Sequence, residues 1–398
     1  MDAGHRKKAP KLTSAVEVEE EAAQGSTCGS QEICMDPELW SFFPEDLVDR
    51  VLAWLPLPSI FRLRAVCRAW NTMTHSSSFI DLCARIPSSK DAWILIFANR
   101  GCRVVSAYIP TENKWHNIPL SFLPFDISDV TVSGGLLVFR LHEANGGSSV
   151  CVCNPVTSSW RKLPPMLGGW RDGLLGLVVD KQSRSYKIIV RSNITPVYNH
   201  GAVLRTEVYD STTNLWIRTN GLEDGITTGH AYCNGVLYFM TWETRSGVYG
   251  VFAYNVEQGT WSKVHVPIPD FMTCPHVVEC QGRLLMVGGF GSCDVRRPHF
   301  VTEGICVWEL RHPTRDWVVV QNMPEGLFKE LLKNSSLLSF NCVGHADRIF
   351  LSNRKSPSLI VIFDCAHNTW QRVESCITHD LHPMYSWFSY YPRLAAVL

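Results

Sequence analysis

YDSTTNLW, Tyr209 to Trp216, closes a β-rich run on an aromatic residue, turns through polar residues and restarts on tryptophan. The arrangement recurs at YIPTENKW (108–115), CNPVTSSW (153–160), YNVEQGTW (254–261) and FDCAHNTW (363–370). An aromatic residue stands seven before the tryptophan in all but CNPVTSSW, and Asn or Asp stands six before at Asn154, Asp210, Asn255 and Asp364. A sixth copy, WELRHPTRDW (308–317), reads as longer by two residues. The tryptophans at 115, 160, 216, 261, 317 and 370 lie 45, 56, 45, 56 and 53 apart, a period near 50.

An Asn or Asp side chain at a strand end can accept from the backbone two residues on, which turns the chain. The tryptophan then opens the next antiparallel strand, and its large ring fills the gap between stacked sheets. Short β-rich runs such as LLVF (136–139), YKIIV (186–190), VLYFM (236–240) and LIVIF (359–363) supply the remaining strands. One such sheet cannot cover both its faces, but a ring of them can. Residues 92–398 therefore read as an all-β propeller. Six blades are expected, and the degenerate repeat leaves seven open. FSYYPRL (388–394) is β-like and is expected to pair with the first blade and close the ring.

Composition sets the outer limits. The 398 residues are 45% hydrophobic and 19% charged, and the 37 basic and 37 acidic residues cancel. No charge excess favours a nucleic acid or an anionic membrane. No apolar run approaches the length of a membrane span, and the N-terminal residues lack the apolar core of a signal peptide. Fifteen cysteines lie singly with no C-x-x-C pair, the pattern of reduced intracellular thiols. Residues 1–38 carry a basic cluster (Arg6, Lys7, Lys8, Lys11) and an acidic run (Glu17, Glu19, Glu20, Glu21). They are too polar to order themselves and read as a disordered tail. The basic cluster also has the composition of a nuclear localisation signal.

Residues 39–86 have a different texture. FPEDLVDRVLAWLPLPSIFRLRAVCRAW (43–70) holds two helical stripes. Pro44 suits the start of the first, with Glu45 and Asp46 at the positive end of the helix dipole. Leu47, Val48, Val51, Leu52 and Leu55 form its apolar face. Pro56 and Pro58 are expected to stop it, and Ser59 to cap a second helix bearing Ile60, Leu63, Val66, Cys67 and Trp70. A third short helix is expected near Ser78–Ile86, giving a small all-α, three-helix domain. So short a segment cannot hide both stripes, and an exposed apolar face marks a partner surface.

This stretch resembles an F-box. The family pattern falls on Pro44, Glu45/Asp46, Leu47/Val48, Val51/Leu52, Leu55/Pro56, Ile60/Leu63 and Val66/Cys67/Arg68/Trp70, with Phe43 where leucine is usual. The β half resembles the plant F-box/kelch-repeat proteins through GGLLVF (134–139), CNPVTSSW, LYFM (237–240), CVWEL (306–310) and NCVG (341–344). The kelch double glycine stands after its strand only at Gly288–Gly289. The resemblance implies a non-catalytic substrate receptor of an SCF ubiquitin ligase, in the nucleus and/or cytoplasm. The F-box would dock on the Skp adaptor of a cullin–RING ligase, while the kelch-type propeller holds a target protein. It assigns the Skp contact to Pro44, Leu47, Val48, Leu52, Leu55, Pro58, Ile60, Leu63 and Trp70. Val51, Val66, Cys67 and Trp70 are expected in the F-box core.

No cofactor, metal, nucleic acid or membrane is implied. G-x-S-x-G, H-E-x-x-H and P-loop motifs are absent. GGFGS (288–292) reads as a blade turn, and His379 with His382 as a surface pair. Trp170, Trp242 and Trp387 stand outside the repeat register. Trp and Arg are common hot-spot residues, so Trp170, Arg171, Trp242, Arg245, Arg296 and Arg297 are candidates for target binding. Two further classes stay open: an F-box scaffold or transcriptional cofactor that causes no degradation, and a propeller oxidase.

Overall fold

The computed structural model describes residues 44–86, 92–98, 103–124, 128–142, 148–168, 175–180, 183–193, 204–221, 226–243, 246–293, 300–311, 316–332, 339–354, 359–374, 385–396 and 398. The tail at 1–38 and its basic cluster lie outside these residues. Asp49–Leu398 form one compact unit. The chain up to Val48 is a separate unit, described here only as the first turn of a helix.

Six four-stranded antiparallel sheets follow the helical segment. The first holds β1 (Trp93–Ala98), β2 (Val104–Ile109) and β3 (Lys114–Pro119). The second holds β4 (Ser128–Ser133), β5 (Leu136–His142), β6 (Ser148–Asn154) and β7 (Ser159–Lys162). The third holds β8 (Leu175–Asp180), β9 (Ser185–Asn193), β10 (Leu204–Asp210) and β11 (Leu215–Thr219). The fourth holds β12 (Ile226–Cys233), β13 (Val236–Glu243), β14 (Val248–Asn255) and β15 (Thr260–Val264). The fifth holds β16 (Thr273–Cys280), β17 (Arg283–Cys293), β18 (Phe300–Arg311) and β19 (Asp316–Asn322). The sixth holds β20 (Phe340–His345), β21 (Arg348–Asn353), β22 (Leu359–Asp364) and β23 (Thr369–Glu374). The last strand, β24 (Tyr385–Tyr390), returns to the first sheet and pairs with β1 from Trp93↔Tyr390 to Ala98↔Tyr385. It touches both β20 and β4, so six blades close into a ring.

The repeat explains each blade. Every repeat tryptophan is the second residue of a fourth strand, and the residue seven before it is its direct cross-strand partner: Tyr108↔Trp115, Cys153↔Trp160, Tyr209↔Trp216, Tyr254↔Trp261, Leu310↔Trp317 and Phe363↔Trp370. The paired rings lie 4.7–5.4 Å apart, each pair worth about 0.5–1.5 kcal/mol beyond buried area. Two of the rings also bond to the preceding blade. Trp216 Nε1 donates to the Pro164 carbonyl (2.9 Å) and Trp261 Nε1 to Thr206 Oγ1 (2.8 Å). The carboxylate or amide oxygens accept as expected, from Val156 N to Asn154, Thr212 N to Asp210, Glu257 N to Asn255 and Ala366 N to Asp364, at 2.8–3.1 Å.

Several expectations need correction. The sixth copy is not longer: the register places Leu310 at the aromatic position and Arg311 at the Asn/Asp position. It departs in residue type alone. GGFGS is not a turn but lies within β17, with an irregularity between Phe290 and Gly291. Gly288 packs closely under Pro275: a Cβ there would meet the Pro275 Cα at 3.3 Å and displace the flexible end of Met272. Trp387 is buried in β24 and packs in the core with Phe350 and Ile362. The closing strand is Tyr385–Tyr390, and Tyr391–Leu394 continue beyond it. A helix, Glu325–Leu332, also joins the fifth and sixth blades.

The tail past β24 is fastened to the second blade. Asn154 is fully buried, and its Nδ2 donates to the carbonyls of Arg393 (2.9 Å) and Ala396 (3.2 Å). Gly135 allows the approach, since a Cβ there would meet Arg393 Cβ at 2.9 Å. Asn154→Ala loses these bonds and the turn bond together. It should cost about 3 kcal/mol, read as a lower denaturant midpoint, with Asn154→Asp intermediate. An unchanged midpoint would show that the tail is not held there.

His276 gives a pH prediction. It is buried on β16, with Nε2 3.0 Å from the Phe340 carbonyl, and burial lowers its pKa from 6.5 to about 4. The folded ring stays neutral where the unfolded one takes a proton. Stability from this residue is therefore full above pH 6.5 and lost as pH falls toward about 4, by ~1.4 kcal/mol per unit at the steepest. Thermal unfolding of His276→Gln at pH 7, 6 and 5 should show a shallower loss than the parent. An equal slope would assign the acid sensitivity to other groups.

Candidate functional site: an exposed apolar face on the helical segment

Among the described residues four helices precede the propeller where three were expected: α1 (Glu45–Ala53), α2 (Leu57–Leu63), α3 (Arg68–His75) and α4 (Ser77–Arg85). The Pro44 carbonyl accepts from Leu47 N and Val48 N, starting α1. Tight turns from Trp54 N to Val51 O and from Leu55 N to Leu52 O end it. Pro56 occupies the cap position of α2 and Pro58 lies in its first turn, so Pro58 starts this helix rather than stopping the previous one. Ser59 is inside α2 and does not cap it. The expected second helix breaks at Arg64–Cys67, where Ala65 N and Val66 N close turns onto Arg62 O and Leu63 O.

Two side chains reset the chain after these breaks. The Cys67 thiol accepts from Trp70 N (3.5 Å) and caps α3. Ser76 Oγ accepts from Phe79 N (3.2 Å) and caps α4. Arg64 crosses from the break to α3, donating from Nε to the buried Thr74 Oγ1 (3.3 Å), with its guanidinium 4.8 Å from the centre of the Phe61 ring. Burial lowers its pKa.

The division between core and surface differs from the expected one. Leu52 (5% exposed) and Ile60 (2%) are buried against the chain itself, with Phe79 fully enclosed. Val51 (46%) and Val66 (62%) are exposed, as is Cys67, so these three are not core. Trp54 is 68% exposed and Leu47 38%. Pro44 is exposed, while Val48, Leu55, Pro58, Leu63 and Trp70 are half-buried. Within Asp49–Leu398 the helical segment thus presents Val51, Trp54 and Val66 to solvent. The sequence marks Trp54 as a large apolar residue that so short a segment cannot hide, and its exposure agrees; it stands just past α1, outside the residues assigned to the Skp contact.

On the propeller, Trp242 is the next-to-last residue of β13 and half-buried, its ring edge-on to Tyr249 at 4.8 Å. Beside it Glu243 pairs with Lys263 Nζ at 2.6 Å and accepts from Ser246 Oγ at 3.1 Å. Trp170, Arg171, Arg245, Arg296, Arg297, His379 and His382 lie outside the described residues. Among the described residues no group of three or more His, Cys, Asp or Glu side chains is placed to hold a metal ion. None of their helices is long and apolar enough to cross a membrane. What the arrangement offers is apolar binding surface.

Known proteins share both halves. The F-box domain family matches residues 40–82, and the F-box associated beta propeller domain family matches residues 93–282. An F-box/kelch-repeat protein of Arabidopsis thaliana is 28% identical, over 89% of this chain and 89% of its own. Protein UNUSUAL FLORAL ORGANS of Arabidopsis thaliana is 25% identical, over 86% of this chain and 80% of its own. SKP1-interacting partner 15 of the same plant is 22% identical, over 83% and 91%. The chain thus carries an F-box domain followed by an F-box-associated β-propeller, and its homologues are plant F-box/kelch-repeat and F-box proteins.

Proposed function

We propose that the chain is a substrate receptor of an SCF ubiquitin ligase. Its helices dock on a Skp-family adaptor, and its propeller holds a target protein for ubiquitination and proteasomal degradation. The observation that carries this reading is the exposure of Val51, Trp54 and Val66 in a segment that matches the F-box domain. The name of one relative, SKP1-interacting partner 15, supports the same adaptor. The chain's own contribution is proximity: holding a target beside the ubiquitin-charged enzyme raises effective concentration, and this chain makes and breaks no bond. The proposal places the protein in the nucleus, the cytoplasm or both.

The burial pattern selects the variants. Val51→Asp with Val66→Asp puts two charges on exposed positions, where folding changes little. Capture by a purified Skp-family protein should weaken at least about tenfold while the melting temperature holds. Leu52→Asp charges a buried position and should lose capture through melting of the helices. Full capture by the double variant would contradict Skp docking through this face. Target half-life with and without proteasome inhibition separates a degradative receptor from a scaffold.

A further inference from the structure

The turns joining the first two strands of each blade are not alike. In blades two, four, five and six they have two residues, as the pairs Ser133↔Leu136, Cys233↔Val236, Cys280↔Arg283 and His345↔Arg348 show. In blade three the pair Asp180↔Ser185 spans four. The last turn position is glycine in blades two, four and five, with φ of +91° at Gly135, +83° at Gly235 and +74° at Gly282. In blade three it is Arg184, at φ +52°. A long side chain in the left-handed region is strained, and such outliers persist where another contact holds them.

That contact is on the helical segment. Arg184 Nη2 donates to Asp81 Oδ1 of α4 at 2.9 Å. The turn is stiffened from within, since Ser183 Oγ donates to Asp180 Oδ2 at 2.6 Å and lies 2.6 Å from Ser185 Oγ. Arg184 also lines a cavity of about 790 Å³ that has Trp54, Cys83 and Arg85 on one wall and Val179, Tyr186 and Leu394 on the other. Across that gap the helices and blades are not close-packed. The Asp81–Arg184 pair is a direct bond across it. A half-exposed ion pair adds little to folding stability, so a strained, lengthened turn that delivers one is better explained by orientation.

We infer that Asp81 and Arg184 are positioning residues that fix the propeller against the Skp-docking helices, and so set where a bound target sits in the ligase. The consequence for the ligase rests on the receptor reading; the contact itself does not. Small-angle scattering of the full chain at low ionic strength tests it. Arg184→Glu places two carboxylates face to face and should increase the radius of gyration and maximum dimension, with melting temperature and Skp capture unchanged. Asp81→Arg combined with Arg184→Asp restores the pair in reverse and should return the parental curve. A parental curve for Arg184→Glu, or no return in the reversed pair, overturns the inference. Failure of the unmodified chain to bind a Skp-family protein would remove the receptor reading and leave the scattering result standing.

Discussion

Everything beyond residue 92 depends on one strand pairing, β24 with β1. A four-stranded sheet with two apolar faces is covered only by its neighbours, so the stack must close on itself. The closing strand comes from far along the chain, which makes the ring cooperative: the first blade, and with it the ring, is not complete until β24 is in place. Tyr390 is fully buried at the seam, and Asn154 holds the tail beyond it across the second blade. Arg161 repeats the tactic between blades two and three, donating from Nη2 to the hydroxyls of Tyr186 and Tyr209 at 2.8 and 2.9 Å. Apolar stacking closes the ring, and these directed bonds fix which atoms face which.

The blades were legible because their chemistry is local. A polar turn between an aromatic residue and a tryptophan is a hairpin whose register the spacing states outright. What escaped was subtler. The residue two before the tryptophan is Asn113, Ser158, Asn214, Gly259 or Asn368, and each has φ between +49° and +67°. These are residue types that tolerate the left-handed region, and their recurrence was a readable signal. Leu310 and Arg311 made the sixth copy read two residues too long, because the register keeps a position while the residue type drifts. Gly288 looked like a turn residue and is a strand residue, since glycine serves close approach as well as sharp bends.

The helical segment was legible as helices and illegible as surfaces. Periodicity finds an apolar stripe, but a short domain that binds a partner carries two: one for its own core and one for the partner. Val51 and Leu52 are adjacent, equally apolar, and fall on opposite sides of that division. Only packing separates them. The breaks at Pro56 and at Arg64–Cys67 turn the stripes relative to each other, and no spacing rule anticipates that rotation. The burial pattern leaves Val51, Trp54 and Val66 exposed, and it leaves Leu52 and Ile60 to hold the helices together.

In the proposed receptor the helices are the docking element and the propeller is free for a target. Hydrogen–deuterium exchange of the full chain, with and without a purified Skp-family protein, tests this most directly. Docking through the helices should slow exchange only at amides of α1 to α3 around Val51–Trp54 and Val66–Trp70, with the blade strands unchanged. Unchanged exchange throughout, or protection centred on the propeller, would contradict it.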